Sequence, residues 1–388
     1  MPSSLRMPQI CCCLITQLLA PLNAAPQVAA VAADTITSAA IARFEAEIGA
    51  EVERDSIGGI TAAVVRGNEV LWVKGFGLAD RGAGVPASAA TIYRTGSISK
   101  TFTAVILLRL VDRGVVQLDD AVAMYLPEFA GLDGPPEQVS SITLRQLASH
   151  TAGLVREPRL ADAAAGPIEA WDSKVLASIP TTALQSTPGT EYSYSNIGFG
   201  ILGLTLSRAV GKPFMQLVEE LIFEPLGMRS STFVITGALR DRLSVGYVNL
   251  RDGTIDTELP AREHSGRGYK VPNGGVYSTV EDLSLFIAGL TGAAAVQLLS
   301  VNSRQEMLTI QTPEDSTQGY GLGLSVQTGV GSSRFVGHGG SVAGYNAYML
   351  FEPESAVGVV LLRNYNGGAT NLGRAAAGLM TELLSGQP

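Results

Sequence analysis

The stretch TGSISKTFTAVILLRLVDRGVV, Thr95 to Val116, sets the tightest limit on how this chain can fold. From Phe102 to Val111 it is apolar nearly all the way round, broken only by Thr103 and Arg109. A helix with such a surface must be enclosed by other elements. The pattern predicts a helix over Ser97 to Arg113, stopped near Gly114. With 388 residues and 46% hydrophobic content, the chain can supply that enclosure as one unit of two lobes. Yet this buried helix opens with a hydroxyl, Ser97, and an ammonium, Lys100, one turn apart on the same face.

The N-terminus reads as a secretory leader. Arg6 gives a sparse positive start, and Ile10 to Leu22 forms a short apolar run. Small residues follow in NAAPQVAAVAAD, with a cut expected after Ala25 or Ala32. Residues 1–32 are thus expected to be a signal peptide and 33–388 the mature unit, periplasmic or secreted. The apolar run is too short to span a bilayer, so the mature chain is expected to carry no transmembrane segment. Cys11, Cys12 and Cys13 all lie inside the leader. The mature chain would then hold no disulfide, no thiol nucleophile and no cysteine metal site. The formal net charge is -8 and no basic stripe is visible, so nucleic acid is not an expected partner.

TITSAAIARFEAEIGAEVERD, Thr35 to Asp55, has helical spacing. GGITAAVVRGNEVLWVKGFG reads as two strands joined by a tight turn at Gly67-Asn68. TLRQ at Thr143 to Gln146 and STVE at Ser278 to Glu281 both fit capping boxes. From Gly319, GYGLGLSVQ, RFVGHGG, GYNAYMLFEP and AVGVVLLRN read as an antiparallel meander, and NLGRAAAGLMTELLSG as a closing amphipathic helix. The expected architecture is α+β. One antiparallel sheet is flanked by the two terminal helices, with a large helical lobe inserted. The sheet lobe would span about 34–96 and 305–388, and the helical lobe about 97–304. A crevice between them is a natural place for a site.

A helix N-terminus offers free N–H groups and a positive dipole end, which favour a developing oxyanion. Lys100, desolvated beside an apolar helix, would have a lowered pKa and could act as a base. Ser97 would then be an activated nucleophile. Ser-x-x-Lys alone is a weak signal, but two further stretches accompany it. Tyr194-Ser195-Asn196 stands immediately before an apolar, glycine-punctuated helix, and His338-Gly339-Gly340 lies on a predicted strand. No Gly-x-Ser-x-Gly elbow and no phosphate loop is present, which argues against an α/β-hydrolase and a P-loop enzyme. The three histidines show no metal-ligand spacing.

Ser-x-x-Lys, then Tyr-x-Asn, then a basic residue with glycines on a late strand resembles the serine β-lactamase and penicillin-binding-protein superfamily. The chain is most similar to the branch holding class C β-lactamases, D-Ala-D-Ala carboxypeptidases, D-aminopeptidases and related esterases. LRQLASHTAGL, EPLGMRSSTF, NGGVYSTVEDLSLF and GYGLGLSV extend the resemblance from roughly Ile41 to Leu384. It implies a β-lactamase/transpeptidase-like fold and no metal or cofactor. It makes Ser97 the nucleophile, with Lys100 taking or relaying its proton. Tyr194 would hold a phenolate or pass a proton to the leaving group. Asn196 would orient Lys100 and touch the acyl side. The backbone N–H groups of Ser97 and Ser341 would form the oxyanion hole, and Gly339 and Gly340 would let substrate lie flat on the strand. Tyr192 competes with Tyr194, but only Tyr194 has Asn at +2, and Tyr192 falls where the family has a packing aromatic.

The chain departs from the family's Lys-Thr-Gly on the late strand, where it has His338-Gly339-Gly340. A neutral histidine there weakens recognition of a substrate carboxylate. The expected substrates are therefore small esters first, D-amino-acid peptides second and β-lactams third. A sensor that acylates without turnover is the competing class; it is disfavoured because Ser97, Lys100 and Tyr194 are all present. His150 is expected in a turn or at the site rim, and His264 in a polar loop that is solvated or roofs the site. Oligomeric state is not legible.

Overall fold

The computed structural model describes residues 1, 25–313, 318–329, 331 and 333–385, with side chains from 38 onward in the N-terminal helix. The cysteines and apolar run of the expected leader lie outside the described residues.

The N-terminal helix, α1 (Ala25–Asp55), leads into β1 (Gly59–Arg66) and β2 (Glu69–Asp80). Gly67, at φ +59°, makes the turn, and Arg66 pairs with Glu69 as the expected hairpin requires. A two-residue edge strand, β3 (Val85–Pro86), follows. The rest of the sheet is formed late in the chain by β4 (Gly319–Tyr320), β5 (Ser325–Thr328), β6 (Arg334–Val342), β7 (Tyr345–Glu352) and β8 (Val357–Arg363). The order is β3-β2-β1-β8-β7-β6-β5-β4, antiparallel throughout. The first and last long strands therefore meet at the centre, from Ile60 against Arg363 to Arg66 against Val357. This is the α+β architecture expected from the sequence.

Alternation along the strands divides the core in two. Val357, Val359 and Leu361 join Ile60, Ala62 and Val64 under α1 and the C-terminal helix. Val360 and Leu362 face the other way, into the helical lobe. That lobe centres on α2 (Ser99–Asp112), in which every residue from Ser99 to Leu108 is buried. It is enclosed with the help of α3 (Leu144–Ala148), α4 (Asn196–Val210) and α5 (Val280–Thr291), while α6 (Leu372–Ser385) closes the chain on the opposite face. Phe102 stacks on Phe286 of α5 at 4.0 Å between ring centroids. Each fully buried side chain of this size contributes about 1.5–3 kcal/mol.

The capping box at Thr143 is formed with both reciprocal bonds. The one expected at Ser278 is displaced by a residue: Thr279 caps α5 and accepts from the Asp282 N–H. Ser278 is held in a short bridge with Tyr93, and its hydroxyl bonds Ser231 instead, so the helix begins one position later. Among the described residues no helix is long and apolar enough to cross a membrane.

Candidate active site

The turn Gly96–Ile98 runs directly into α2, and no side chain caps either. Gly96 has φ +53°, and a Cβ there would come within 2.8 Å of the Ser341 nitrogen. A Cβ on Gly340 would fall 1.9 Å from the Thr95 carbonyl oxygen. Backbone therefore packs on backbone, and only glycine allows β6 to lie this close to Ser97. This contact sets the Ser341 N–H beside the first turn of α2.

Lys100 is fully buried, and its Nζ lies 3.1 Å from Ser97 Oγ and 3.1 Å from the Asn273 carbonyl oxygen. No carboxylate of the described residues forms an ion pair with it. Burial holds its pKa well below the usual lysine range, reinforced by the nearby charges of Arg156, Arg267 and Lys270 and opposed by Glu157. Burial raises the Tyr194 pKa, and the neighbouring Ser97 hydroxyl draws it part of the way back down. The Lys100 Nζ stands 4.9 Å from the centre of the Tyr194 ring. Tyr192 is 38% exposed, with its ring against His150 and Tyr320. Of the two tyrosines, Tyr194 is the one that shares a cavity with Ser97.

Asn196 departs from the expected contact with Lys100. It is the first residue of α4, and its amide donates to Glu157 at 2.6 Å. Its backbone N–H is taken by the Arg156 carbonyl, which fixes the side chain toward the Arg156–Glu157 loop. The bond to Lys100 comes from the backbone of Asn273, whose side chain in turn donates to the Asn196 carbonyl.

His338 is buried on β6, and both ring nitrogens are engaged. Nδ1 lies 2.6 Å from the Gly339 carbonyl, which can only accept, so Nδ1 carries the proton. Nε2 then accepts from the Tyr320 hydroxyl at 2.8 Å. Burial, with the Lys100 charge second, pushes the His338 pKa down to about 3. The late strand thus presents a neutral ring where the family's motif has a lysine. His150 lies behind Tyr194 rather than at the rim, bonded to backbone as a turn histidine would be. His264 neither roofs the site nor stands in solvent. It bonds Tyr277 at 2.7 Å and packs against Tyr345, and burial lowers its pKa to about 4.

A cavity of about 880 Å³ opens at Ser97, Tyr194 and the Gly339–Ser341 segment. It runs along β7 to the start of α6, where Arg363, Asn371 and Arg374 line it, and Arg156 lines it too. The sequence reading missed Arg156, Asn273, Tyr320, Arg363 and Arg374. Asn273 acts through its backbone carbonyl, which no residue type reveals. The arginines come from separate segments with no shared spacing.

The family described as Beta-lactamase matches residues 42–380. The D-alanyl-D-alanine-carboxypeptidase/endopeptidase AmpH of Escherichia coli is 28% identical over 345 residues, covering 85% of this chain and 86% of the relative. The esterase EstB of Burkholderia gladioli is 31% identical over 272 residues, covering 62% of this chain and 68% of its own. An octameric penicillin-binding protein homologue from Pyrococcus abyssi superposes with a TM-score of 0.76 at 25% identity, covering 89% of this chain and 77% of that one.

Proposed function

The chain belongs to the β-lactamase family, within the serine β-lactamase and penicillin-binding-protein superfamily, and we propose that it is a serine hydrolase acting on small carboxylic esters through an acyl-Ser97 intermediate. One observation carries this reading: a buried Lys100 lies 3.1 Å from Ser97 Oγ, with Tyr194 beside both. The pKa directions, down for Lys100 and up for Tyr194, favour a neutral amine beside a neutral phenol. Because the two groups are coupled, those directions describe the pair.

In the proposed cycle, Lys100 takes the Ser97 hydroxyl proton as Oγ bonds the acyl carbon. The N–H groups of Ser97 and Ser341 hold the tetrahedral oxyanion. As that collapses, Tyr194 donates its proton to the departing alkoxide and regains one from Lys100. Water then attacks the acyl carbon, losing its proton to the same pair. The free acid leaves and Ser97 is restored.

The ester preference is supported by His338, which is neutral and has no free nitrogen to grip a carboxylate. A second reading, hydrolysis of D-amino-acid peptides, is favoured by Arg363 and Arg374 at the far end of the cavity. β-Lactams rank third, and a sensor without turnover last. Export through the leader of residues 1–32 belongs to the same proposal, and the N-terminal mass of the mature protein tests it.

The test of function is the ratio of kcat/KM for a short-chain p-nitrophenyl ester to that for a chromogenic cephalosporin, with a D-amino-acid peptide alongside. The ester is expected to be favoured. Ser97→Ala is expected to remove all turnover while the chain stays folded, and turnover retained by that variant would overturn the reading.

A further inference from the structure

His150 has a backbone conformation that few residues adopt, with φ +61°. The left-handed region is uncommon outside glycine, although Asn, Asp and His enter it more than most. The conformation lets one residue hold both sides of Tyr194. The His150 carbonyl accepts the Ser193 N–H at 2.7 Å. Its ring nitrogen Nδ1 accepts the Ser195 N–H at 3.0 Å. Its ring lies against the Tyr194 ring, 4.2 Å between centroids. The two residues flanking Tyr194 in sequence are therefore both bonded to the residue that packs behind its ring.

The same contacts fix the protonation of His150. An N–H aimed at Nδ1 requires a lone pair there, so the neutral ring carries its proton on Nε2. Nε2 is buried and has no hydrogen-bond partner among the described residues. A protonated ring would set N–H against N–H at Ser195 and break the clamp. The surroundings oppose that charge: burial first, then Lys100 on α2, His338 on β6 and Arg156 in the adjoining loop. Tyr192, Tyr194 and Tyr320 complete the ring of titratable groups around it, with Phe199 on α4 beside them.

We propose that His150 is a positioning residue for the reaction proposed above: as a neutral clamp on Ser193 and Ser195, it holds the Tyr194 ring in register with Ser97. The inference rests on Tyr194 acting in that reaction. It differs from a packing role in what it predicts for turnover.

The variants are His150→Gly and His150→Asn. Glycine keeps the left-handed backbone and removes acceptor and ring. Asparagine also tolerates this backbone and restores an acceptor for Ser195. Active enzyme is counted by phosphonylation of Ser97. His150→Gly is expected to lower kcat by about 100-fold with KM little changed, because misplacement by roughly 1 Å has that effect. His150→Asn is expected to recover about tenfold of it. A kcat within about twofold of the parent in folded His150→Gly would overturn the proposal. Should both variants fail to fold, nitrogen-15 NMR of the parent decides. The three histidines allow assignment. His150 is expected as the Nε2–H tautomer and His338 as the opposite one, both unchanged from pH 5 to 8. A proton on Nδ1 of His150, or titration in that range, also overturns the proposal. If Ser97→Ala retains turnover, the reaction falls and the NMR still tests the clamp. If Ser97→Ala is dead and His150→Gly is not impaired, the clamp alone falls.

Discussion

The two ends of the cavity treat positive charge in opposite ways. At the Ser97 end, Lys100 is sealed from water with no carboxylate in ion-pair range among the described residues, and burial holds its pKa well below the usual lysine range. At the far end, Arg374 stands exposed in the first turn of α6. Arg363 is 7% exposed beside it, fixed by the Thr370 carbonyl at 2.8 Å and the Asn346 amide oxygen at 3.0 Å. A guanidinium cannot lose its proton under these conditions, so its charge persists where an amine's does not. In the proposed reaction the first end would transfer protons and the second would hold an anionic or polar substituent. Substitutions at the two ends should therefore separate into effects on kcat and effects on KM.

The largest effect is expected from Lys100→Met, which keeps the volume and removes the base. Its kcat/KM should fall by about four orders of magnitude. The same change should stabilise the fold by about 1–2 kcal/mol near neutral pH, because an apolar side chain suits that site better. The direction follows from the lowered pKa. The unfolded chain keeps a proton on this amine up to about pH 10.4, whereas the folded chain gives it up at a lower pH. The unfolded state then binds more protons, and the parent's stability rises with pH through that window. The advantage of Lys100→Met is thus greatest at low pH and closes as pH approaches 10. Urea melts of both proteins between pH 6 and 10 measure it; a parent more stable than the variant at pH 6 contradicts a desolvated lysine.

Tyr194→Phe tests the same end less severely. It keeps the ring against His150 and removes only the hydroxyl beside Ser97. The expected loss is about 100- to 1,000-fold in kcat. It should be smaller for a p-nitrophenyl ester, whose leaving group needs no proton, than for an alkyl ester. Equal losses for the two would mean that Tyr194 does not protonate the leaving group.

Which parts of this arrangement were legible follows from how far apart their determinants lie in the chain. The β1–β2 hairpin, α2 and the late meander each carry their own period and their own turn, so local pattern located them. Ser97 and Lys100 were legible as a pair because three residues on a helix start fix their spacing. Tyr194 came from a motif rather than from any period. The Ser278 cap was misplaced because a bridge to Tyr93, distant in sequence, competes for that residue. Asn273 was invisible because a backbone carbonyl looks alike in every residue. The clamp at His150 was missed for a related reason. Its meaning depends on a left-handed φ and on two N–H groups over forty residues away, none of which composition records.

The far end gives the smallest effect and the finest test. Arg374 has no carboxylate partner among the described residues, so removing it leaves no orphaned acid. Arg374→Ala should leave kcat/KM for a neutral short-chain ester unchanged. For a substrate of the same acyl group carrying a carboxylate it should raise KM by about three- to tenfold, the size of an exposed charge pair of about 1 kcal/mol. Because the pair is exposed, the parent's preference for the charged substrate should shrink as salt rises, and the variant's should not. If the variant loses the same factor on both substrates at every salt concentration, Arg374 supports the wall and not the ligand. Anion selection would then have to rest on Arg363, whose guanidinium is already committed to Thr370 and Asn346.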